Sequence, residues 1–319
     1  MRSEGIKIFN KCCFELMAEY PDGYFDLAIV DPPYNIKIDD WDNIKQYEEF
    51  VRRLAKELHR VLKRTGTMYF FGDFEWIATC KMIIDEYDFG LRSWCIWDKG
   101  AKQQNSTRTF ANITEHCLHF TKPKKEFDKN PVAEYLNKKR LEKGMNLADI
   151  NKILGFATNG GGVASSYMGD KPTITIPSEN HYNLLKPILD LDKSRDDLLL
   201  MDCKYTFNAD AVRVKRNPKD VRVYVNEGQL MTNIFYNQNG NEGSKYEHPT
   251  PKPLELIRTL IKASSNEGDK ILSPFIGSGT DAVAAHFEKR ELIGSELDER
   301  YYELAMKRFK DETAQLQLF

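Results

Sequence analysis

A buried strand that stops at an acid and two prolines constrains this chain more than any other feature. Leu27-Ala28-Ile29-Val30 is a short apolar run, and Asp31-Pro32-Pro33-Tyr34-Asn35 follows it directly. A proline cannot donate to a sheet ladder, and it holds its predecessor extended. The strand must therefore end near Asp31, leaving a carboxylate, backbone carbonyls and an aromatic ring together at its C-terminal edge. In open α/β sheets that edge is where ligands bind. The set suits a planar group bearing an amine: Tyr34 stacks on it, while the Asp31 carboxylate and the Pro32 carbonyl accept from its NH2. The same residues also read as a Pro-Pro turn after an ordinary strand.

The flanking chain predicts a sheet around this strand. Ile6 to Phe9 reads as a strand, and Phe14 to Met17 as part of a short helix closed by the Pro21-Asp22-Gly23 turn. Residues 36–43, rich in acids around Trp41, read as a mobile loop beside the strand end. From Tyr47 to Lys63, Phe50, Leu54, Leu58, Val61 and Leu62 recur at helical spacing, with Gly66 as the stop. Thr67 to Phe71 is a strand, Phe74 to Tyr87 a helix, and Leu91 to Trp97 and Cys117 to Phe120 are strands joined by a polar loop over 99–112. Strands alternating with helices of this length predict a parallel α/β sheet.

Near Thr121 the character changes. Residues 131–192 lack strand periodicity and read as four helices: Val132 to Lys143, Leu147 to Gly155, Val163 to Met168, and Glu179 to Leu189. Basic residues crowd both flanks, Lys122, Lys124, Lys125, Lys129, Lys138, Lys139 and Arg140 on one side and Arg213, Lys215, Arg216, Lys219 and Arg222 on the other. A net charge of −2 gives no global sign of nucleic-acid binding, so these clusters are either a local phosphate-facing surface or a solvated face. The helices resemble helix-turn-helix domains of the phage-repressor type, although Gly160 to Gly162 lengthen the turn. A helical insert that merely packs is the other reading.

Val221 to Val225 reads as a further strand, and 237–244 as a Gly/Asn-rich loop before His248-Pro249-Thr250-Pro251-Lys252-Pro253. Pro253 suits the first turn of a helix over Leu254 to Ala263. Lys270 to Ser273 is then a strand running into Pro274-Phe275-Ile276-Gly277-Ser278-Gly279-Thr280. A helix from Asp281 to Glu288 and a strand Leu292 to Ser295 ending at Glu296 complete the unit. Glycines let backbone approach a ligand closely, and an acid at the end of the next strand accepts from ribose hydroxyls. The third glycine of the dinucleotide fingerprint is absent, and no lysine follows Gly279 to grip phosphate. The site therefore suits an adenosine-containing cofactor without a phosphate, which points to S-adenosylmethionine.

Taken together, the two motifs and the segment between them resemble the permuted class of DNA amino-methyltransferases, in which the DPPY segment precedes the cofactor segment. The resemblance covers roughly 1–122 and 200–310, including the strand from Glu115 to Lys122. It implies a Rossmann-like S-adenosylmethionine-dependent methyltransferase sheet of permuted motif order, built from 1–122 and 200–319. A mainly helical target-recognition region, 123–199, is inserted into it. It further implies catalysis by Asp31, Pro32 and Tyr34. Cofactor contacts are implied at Asp31, Lys252, Pro274, Phe275, Gly277, Ser278, Gly279, Thr280 and Glu296. The implied reaction is methylation of adenine N6 in double-stranded DNA, because cytosine-N4 enzymes more often carry Ser at the position of Asp31. Cytosine N4, or a weakly catalytic DNA-binding protein, are the alternatives. A homodimer and a companion restriction endonuclease are implied partners. The family carries an acid where Ser273 stands, two Thr where this chain has Thr280-Asp281, and Gly-Asp-Cys near Lys11-Cys12-Cys13.

At 319 residues, 41% hydrophobic and 29% charged, with no bilayer-length apolar run, the composition is that of a soluble globular protein. No signal peptide is visible, and the six cysteines form no CxxC pair or zinc-spaced cluster. Reduced thiols, a cytoplasmic location and chemistry without metal are the expectation.

Overall fold

In the computed structural model, residues 5–36, 42, 44–99, 113–122, 131–156, 162–169, 176–195, 197–198, 208, 234–236 and 251–314 are described. The chain divides into two compact units, Met1–Lys122 with Tyr205–Phe319, and Pro123–Lys204. The predicted strand over 221–225, the loop over 237–244 and residues 248–250 lie outside the described residues.

Among its described residues the larger unit holds eight strands: β1 (Ile6–Asn10), β2 (Phe25–Val30), β3 (Leu62–Gly72), β4 (Gly90–Asp98), β5 (Thr114–Thr121), β6 (Ile234–Tyr236), β7 (Lys270–Ser273) and β8 (Glu291–Glu296). They form one sheet in the order β1-β8-β7-β2-β3-β5-β4-β6. All pairs from β1 to β3 are parallel, β5 runs antiparallel to both neighbours, and β6 pairs parallel with β4. The reversed β5 departs from the all-parallel expectation for a topological reason. No helix separates β4 from β5 in the sequence pattern, and without a crossover the chain returns antiparallel to the strand it has left.

Side chains alternate across the sheet, and both faces are covered. Ala28, Val30, Met68 and Phe70 enter one core with the helices α1 (Cys13–Ala18), α2 (Tyr47–Val61) and α3 (Ile77–Asp85). Leu27, Ile29, Tyr69 and Phe71 enter the other, which also takes residues of α8 (Leu254–Ser264), α9 (Thr280–Phe287) and α10 (Glu299–Ala314). Gly66 does not stop α2. The helix ends at Val61, Leu62 is already extended, and Gly66 lies inside β3, where a Cβ would stand 2.9 Å from the Lys63 carbonyl oxygen. From β2 the chain passes through α2 to β3 on one side, and from β7 through α9 to β8 on the other. Connections therefore diverge between β7 and β2, which opens a crevice at their C-terminal ends.

The smaller unit packs α4 (Pro131–Glu142), α5 (Leu147–Ile153), α6 (Val163–Met168) and α7 (Glu179–Leu189) around Leu136, Ile150, Ala164, Tyr182 and Leu185. Asn146 caps α5 reciprocally with Asp149, a capping box that fixes where the helix begins. Among the described residues, no helix is long and apolar enough to cross a membrane, and no group of His, Cys, Asp and Glu is set to hold a metal ion.

Candidate active site

Asp31 ends β2 at the crevice, half-buried, and its carboxylate is held from two directions. The Tyr34 hydroxyl lies 2.6 Å from Oδ1, and the Lys252 ammonium donates to Oδ2 at 2.7 Å. Glu115, at the start of β5, joins the same cluster. Its Oε1 lies 2.8 Å from both the Tyr34 hydroxyl and Lys252 Nζ, while Lys99 stands 3.8 Å from its Oε2. Lys252 also donates to the Tyr34 oxygen at 3.1 Å. The lone hydroxyl hydrogen of Tyr34 thus serves either of two carboxylates.

Electrostatics keep these protonation states apart. Burial, and then the Asp31 and Glu115 carboxylates, hold the Tyr34 phenol well above its usual range, so it is a donor. Burial acts against the Lys252 ammonium, but the same two carboxylates outweigh it and raise its pKa above that of an ordinary lysine. The proline turn is fixed as well: Tyr47 donates to the Pro33 carbonyl at 2.8 Å. Asp42 accepts from the backbone of Asn35 at 2.6 Å and of Ile36 at 3.0 Å. Asn35 sits at φ 59°, a left-handed position that Asn tolerates better than most residues. The loop expected over 36–43 is therefore anchored at Asp42; 37–41 and 43 lie outside the described residues.

The Asp31 end opens on a cavity of about 460 Å³. Phe14, Ile44, Phe50, Pro274, Phe275 and Leu297 supply much of its apolar wall. Asp31, Asp42, Glu296 and Asp298 line it against Lys11 alone among the described basic residues, so the cavity favours a cation and disfavours a phosphate. Glu296 is preset: Gly277 N–H donates to Oε2 at 3.0 Å and Asp298 N–H to Oε1 at 3.0 Å. Each oxygen keeps acceptor capacity for a ligand. Burial raises the Glu296 pKa against those backbone donors. Cys12 and Cys13 also line the cavity. Donation from the Cys13 thiol, helped by the Phe14 and Glu15 backbone N–H groups, outweighs burial and brings the Cys12 thiol down to about 5.

The structure thus brings Asp31, Pro32, Tyr34, Pro274, Phe275, Gly277 and Glu296 to one cavity, and leaves four named residues off its wall. Lys252 stands behind Asp31. Gly279, at φ 81°, would carry a Cβ only 2.9 Å from Ala305 Cα, so its glycine serves the packing of α9 on α10. Thr280 Oγ1 donates to the Lys252 carbonyl at 3.1 Å and accepts from the buried Arg308 at 2.7 Å, which also reaches Ser278 at 3.3 Å. These contacts make Ser278, Gly279 and Thr280 a brace under the glycine loop. Ser273 donates to Asp281 at 2.7 Å, and burial pushes that carboxyl up to about 7 against the Ser273 hydrogen bond.

Glu115 escaped sequence reasoning. Its signal is parity: Glu115, Cys117 and His119 share one buried face of β5, and an acid on such a face needs a cation. In the smaller unit, Ala164 and Tyr167 of α6 are core residues, so they are not free to read a DNA groove. Several basic residues are spoken for: Lys139 pairs with Asp192 at 2.8 Å, Lys143 pairs with Asp190, Arg140 donates to Asn137 and the Met145 carbonyl, and Lys122 donates to the His59 and Leu62 carbonyls. Lys124, Lys125, Lys129 and the run from Arg213 to Arg222 lie outside the described residues.

A family model described as DNA methylase matches residues 25–307. The type II methyltransferase M1.MboII of Moraxella bovis is 24% identical over 321 residues, covering 92% of this chain and 93% of that protein. Among solved structures, the M1.HpyAVI–SAM complex superposes with a TM-score of 0.54 at 20% identity, covering 95% of this chain and 98% of that one. The cytosine-N4-specific PvuII DNA methyltransferase superposes with a TM-score of 0.58 at 13% identity, covering 98% and 91%.

Proposed function

The chain belongs to the DNA methylase family, and on that premise we propose that it transfers a methyl group from S-adenosylmethionine to N6 of adenine in double-stranded DNA. The observation that carries the reading is the Asp31 carboxylate, clamped by Lys252 and Tyr34 at the mouth of an acid-lined cavity. When bound, the cofactor supplies an electrophilic methyl group on a sulfonium. An acid-lined cavity with Glu296 preset at one end fits such a cation joined to a ribose. Glu296 would accept from the ribose hydroxyls, and Pro274, Phe275 and Leu297 would shield the rest.

An adenine must leave the duplex to reach Asp31, at a cost of a few kcal/mol. Stacking on Tyr34 offsets this by about 1–3 kcal/mol. Asp31 and the Pro32 carbonyl accept from the exocyclic NH2, which turns the nitrogen lone pair out of conjugation and towards the methyl group. Positioning then does most of the work. Asp31 favours adenine over cytosine, by resemblance to the adenine enzymes. Cytosine N4 is the second reading, favoured by the fold shared with the PvuII enzyme. Recognition of the target by the helical unit, a homodimer and a companion restriction endonuclease complete the proposal.

The test is methyl transfer from radiolabelled cofactor to DNA of mixed sequence, followed by nucleoside analysis. Label in N6-methyladenine is expected. Label in N4-methylcytosine would replace the substrate, and no transfer would leave a DNA-binding protein without this activity.

A further inference from the structure

The reaction proposed above leaves a proton to remove, and the geometry around Tyr34 accounts for it. When the amine nitrogen takes the methyl group, a nitrogen–carbon bond forms as the carbon–sulfur bond breaks, with the sulfur keeping that electron pair. The nitrogen then carries one proton too many. Asp31 is its nearest acceptor, but an Asp31 left protonated cannot orient the next amine. Its Oδ2 is occupied by Lys252, whereas Oδ1 faces a hydroxyl that is bonded on its far side to a second carboxylate.

We propose that Tyr34 and Glu115 form a proton relay that resets Asp31. The amine proton moves to Asp31 Oδ1. Asp31 returns it to the Tyr34 oxygen as the Tyr34 hydrogen moves to Glu115 Oε1, so Asp31 and Tyr34 recover their starting states and Glu115 becomes neutral. Glu115 is 5% exposed, and its other oxygen faces Lys99, whose side chain is 26% exposed. That edge is the exit: the neutral Glu115 carboxyl gives its proton to solvent there, and the nearby Lys99 ammonium favours the return to carboxylate. Lys252 stays an ammonium throughout, and by touching Asp31, Tyr34 and Glu115 it keeps all three in register. Glu115 touches neither base nor cofactor in this scheme; it is a positioning residue that acts through Tyr34.

The stacking role of Tyr34 needs only its ring, so a phenylalanine would serve equally well if stacking were all. The relay needs the hydroxyl. It rests on the amine-methylation reading, and its test keeps the two separable. Multiple-turnover methyl transfer is measured for wild type, Glu115→Gln and Tyr34→Phe across pH 6–9 and in mixtures of H2O and D2O. Cofactor affinity is followed by calorimetry, and the carbon-13 NMR titration of the Glu115 carboxylate is recorded in cofactor-free enzyme. Both variants are expected to lose about 10²-fold or more in rate. Cofactor affinity should stay at the wild-type level, because both variants keep the cavity wall in place. The wild-type rate should curve with deuterium fraction, reporting more than one proton in flight, while the variants give a straight line. Tyr34→Phe should also shift the Glu115 titration.

If both variants turn over like wild type with the same deuterium dependence, the relay is overturned and the methylation reading stands. A wild-type enzyme that methylates no amine in DNA overturns both. Should Glu115→Gln fail to fold, Tyr34→Phe alone decides, because it removes the bridge and leaves every buried charge in place.

Discussion

Two lysines in this chain hold aspartates at nearly the same distance, Lys252 to Asp31 at 2.7 Å and Lys139 to Asp192 at 2.8 Å. Their surroundings differ. The Lys252 side chain is 5% exposed and bridges a second carboxylate, Glu115, whose side chain is 6% exposed, whereas the Asp192 side chain is 67% exposed. In the buried cluster Lys252 and Glu115 have lost nearly all their water, so each needs its partners to offset that desolvation. In the helical unit solvent screens the pair, which adds little to stability. The same contact therefore fixes a functional geometry in one unit and decorates a surface in the other.

Removing the buried cation should break this contrast most visibly. Lys252→Met leaves Asp31 and Glu115 facing one another across the Tyr34 hydroxyl with no cation between them. The expected cost is about 3–5 kcal/mol in urea unfolding, the range for breaking one partner out of a buried pair. Methyl transfer should fall below detection. Combining Lys252→Met with Glu115→Gln should recover part of the stability but none of the activity. Additive losses instead would mean that the two side chains are not coupled.

Asp281 sharpens the comparison from the acid side. Its carboxyl is pushed up to about 7, by burial first and then by Asp31, while the Ser273 hydroxyl, Lys252 and Arg308 pull it down. The unfolded chain titrates this group near 3.8, as an ordinary aspartate does. Between those values the folded state binds more protons, so this group's contribution to stability falls as pH rises from about 4 to 7 and stays low above. The penalty at neutral pH is on the order of 4 kcal/mol. Asp281→Asn keeps an acceptor for Ser273 and removes the charge. The difference in unfolding free energy between variant and wild type should therefore grow in favour of the variant from pH 4 to 7. A difference that stays constant over that range would mean that Asp281 is ionised throughout.

Sequence reasoning located most of the Asp31 end and much less of its support, for a physical reason. Backbone rules acting on neighbours along the chain place Asp31, Tyr34, Gly277 and Glu296: prolines stop a strand, a glycine turns a loop, and alternation sets which face is buried. Glu115 and Lys252 are brought together by pairings across 137 residues of chain, and nothing local to either announces the other. Alternation says nothing of the reversal of β5, since an antiparallel strand alternates as a parallel one does; only the missing crossover helix before it carries the signal. Gly66 looked like a helix stop because α2 passes into β3 without a loop. Ser278 and Thr280 carry a glycine-loop pattern, yet they face Arg308, a residue whose burial inside α10 has no signature in its own segment.

The smallest effect is expected at Lys139, and it bears on how the helical unit would meet DNA. A lysine that contacts a DNA phosphate contributes about 0.9 to the slope of log affinity against log salt. Lys139 is already held by Asp192, which also accepts from Tyr135 at 2.8 Å. Exchanging that aspartate for a phosphate releases no net counterion charge. Lys139→Ala should therefore leave both the unfolding midpoint and the salt slope of DNA binding within error of wild type. Asp192→Ala frees the ammonium, and should steepen the slope by up to about one if this face lies along the duplex. Equal slopes for all three proteins would place Lys139 away from DNA. A slope that falls by about one in Lys139→Ala would show that the ammonium meets a phosphate as a free cation, and that Asp192 does not neutralise it in solution.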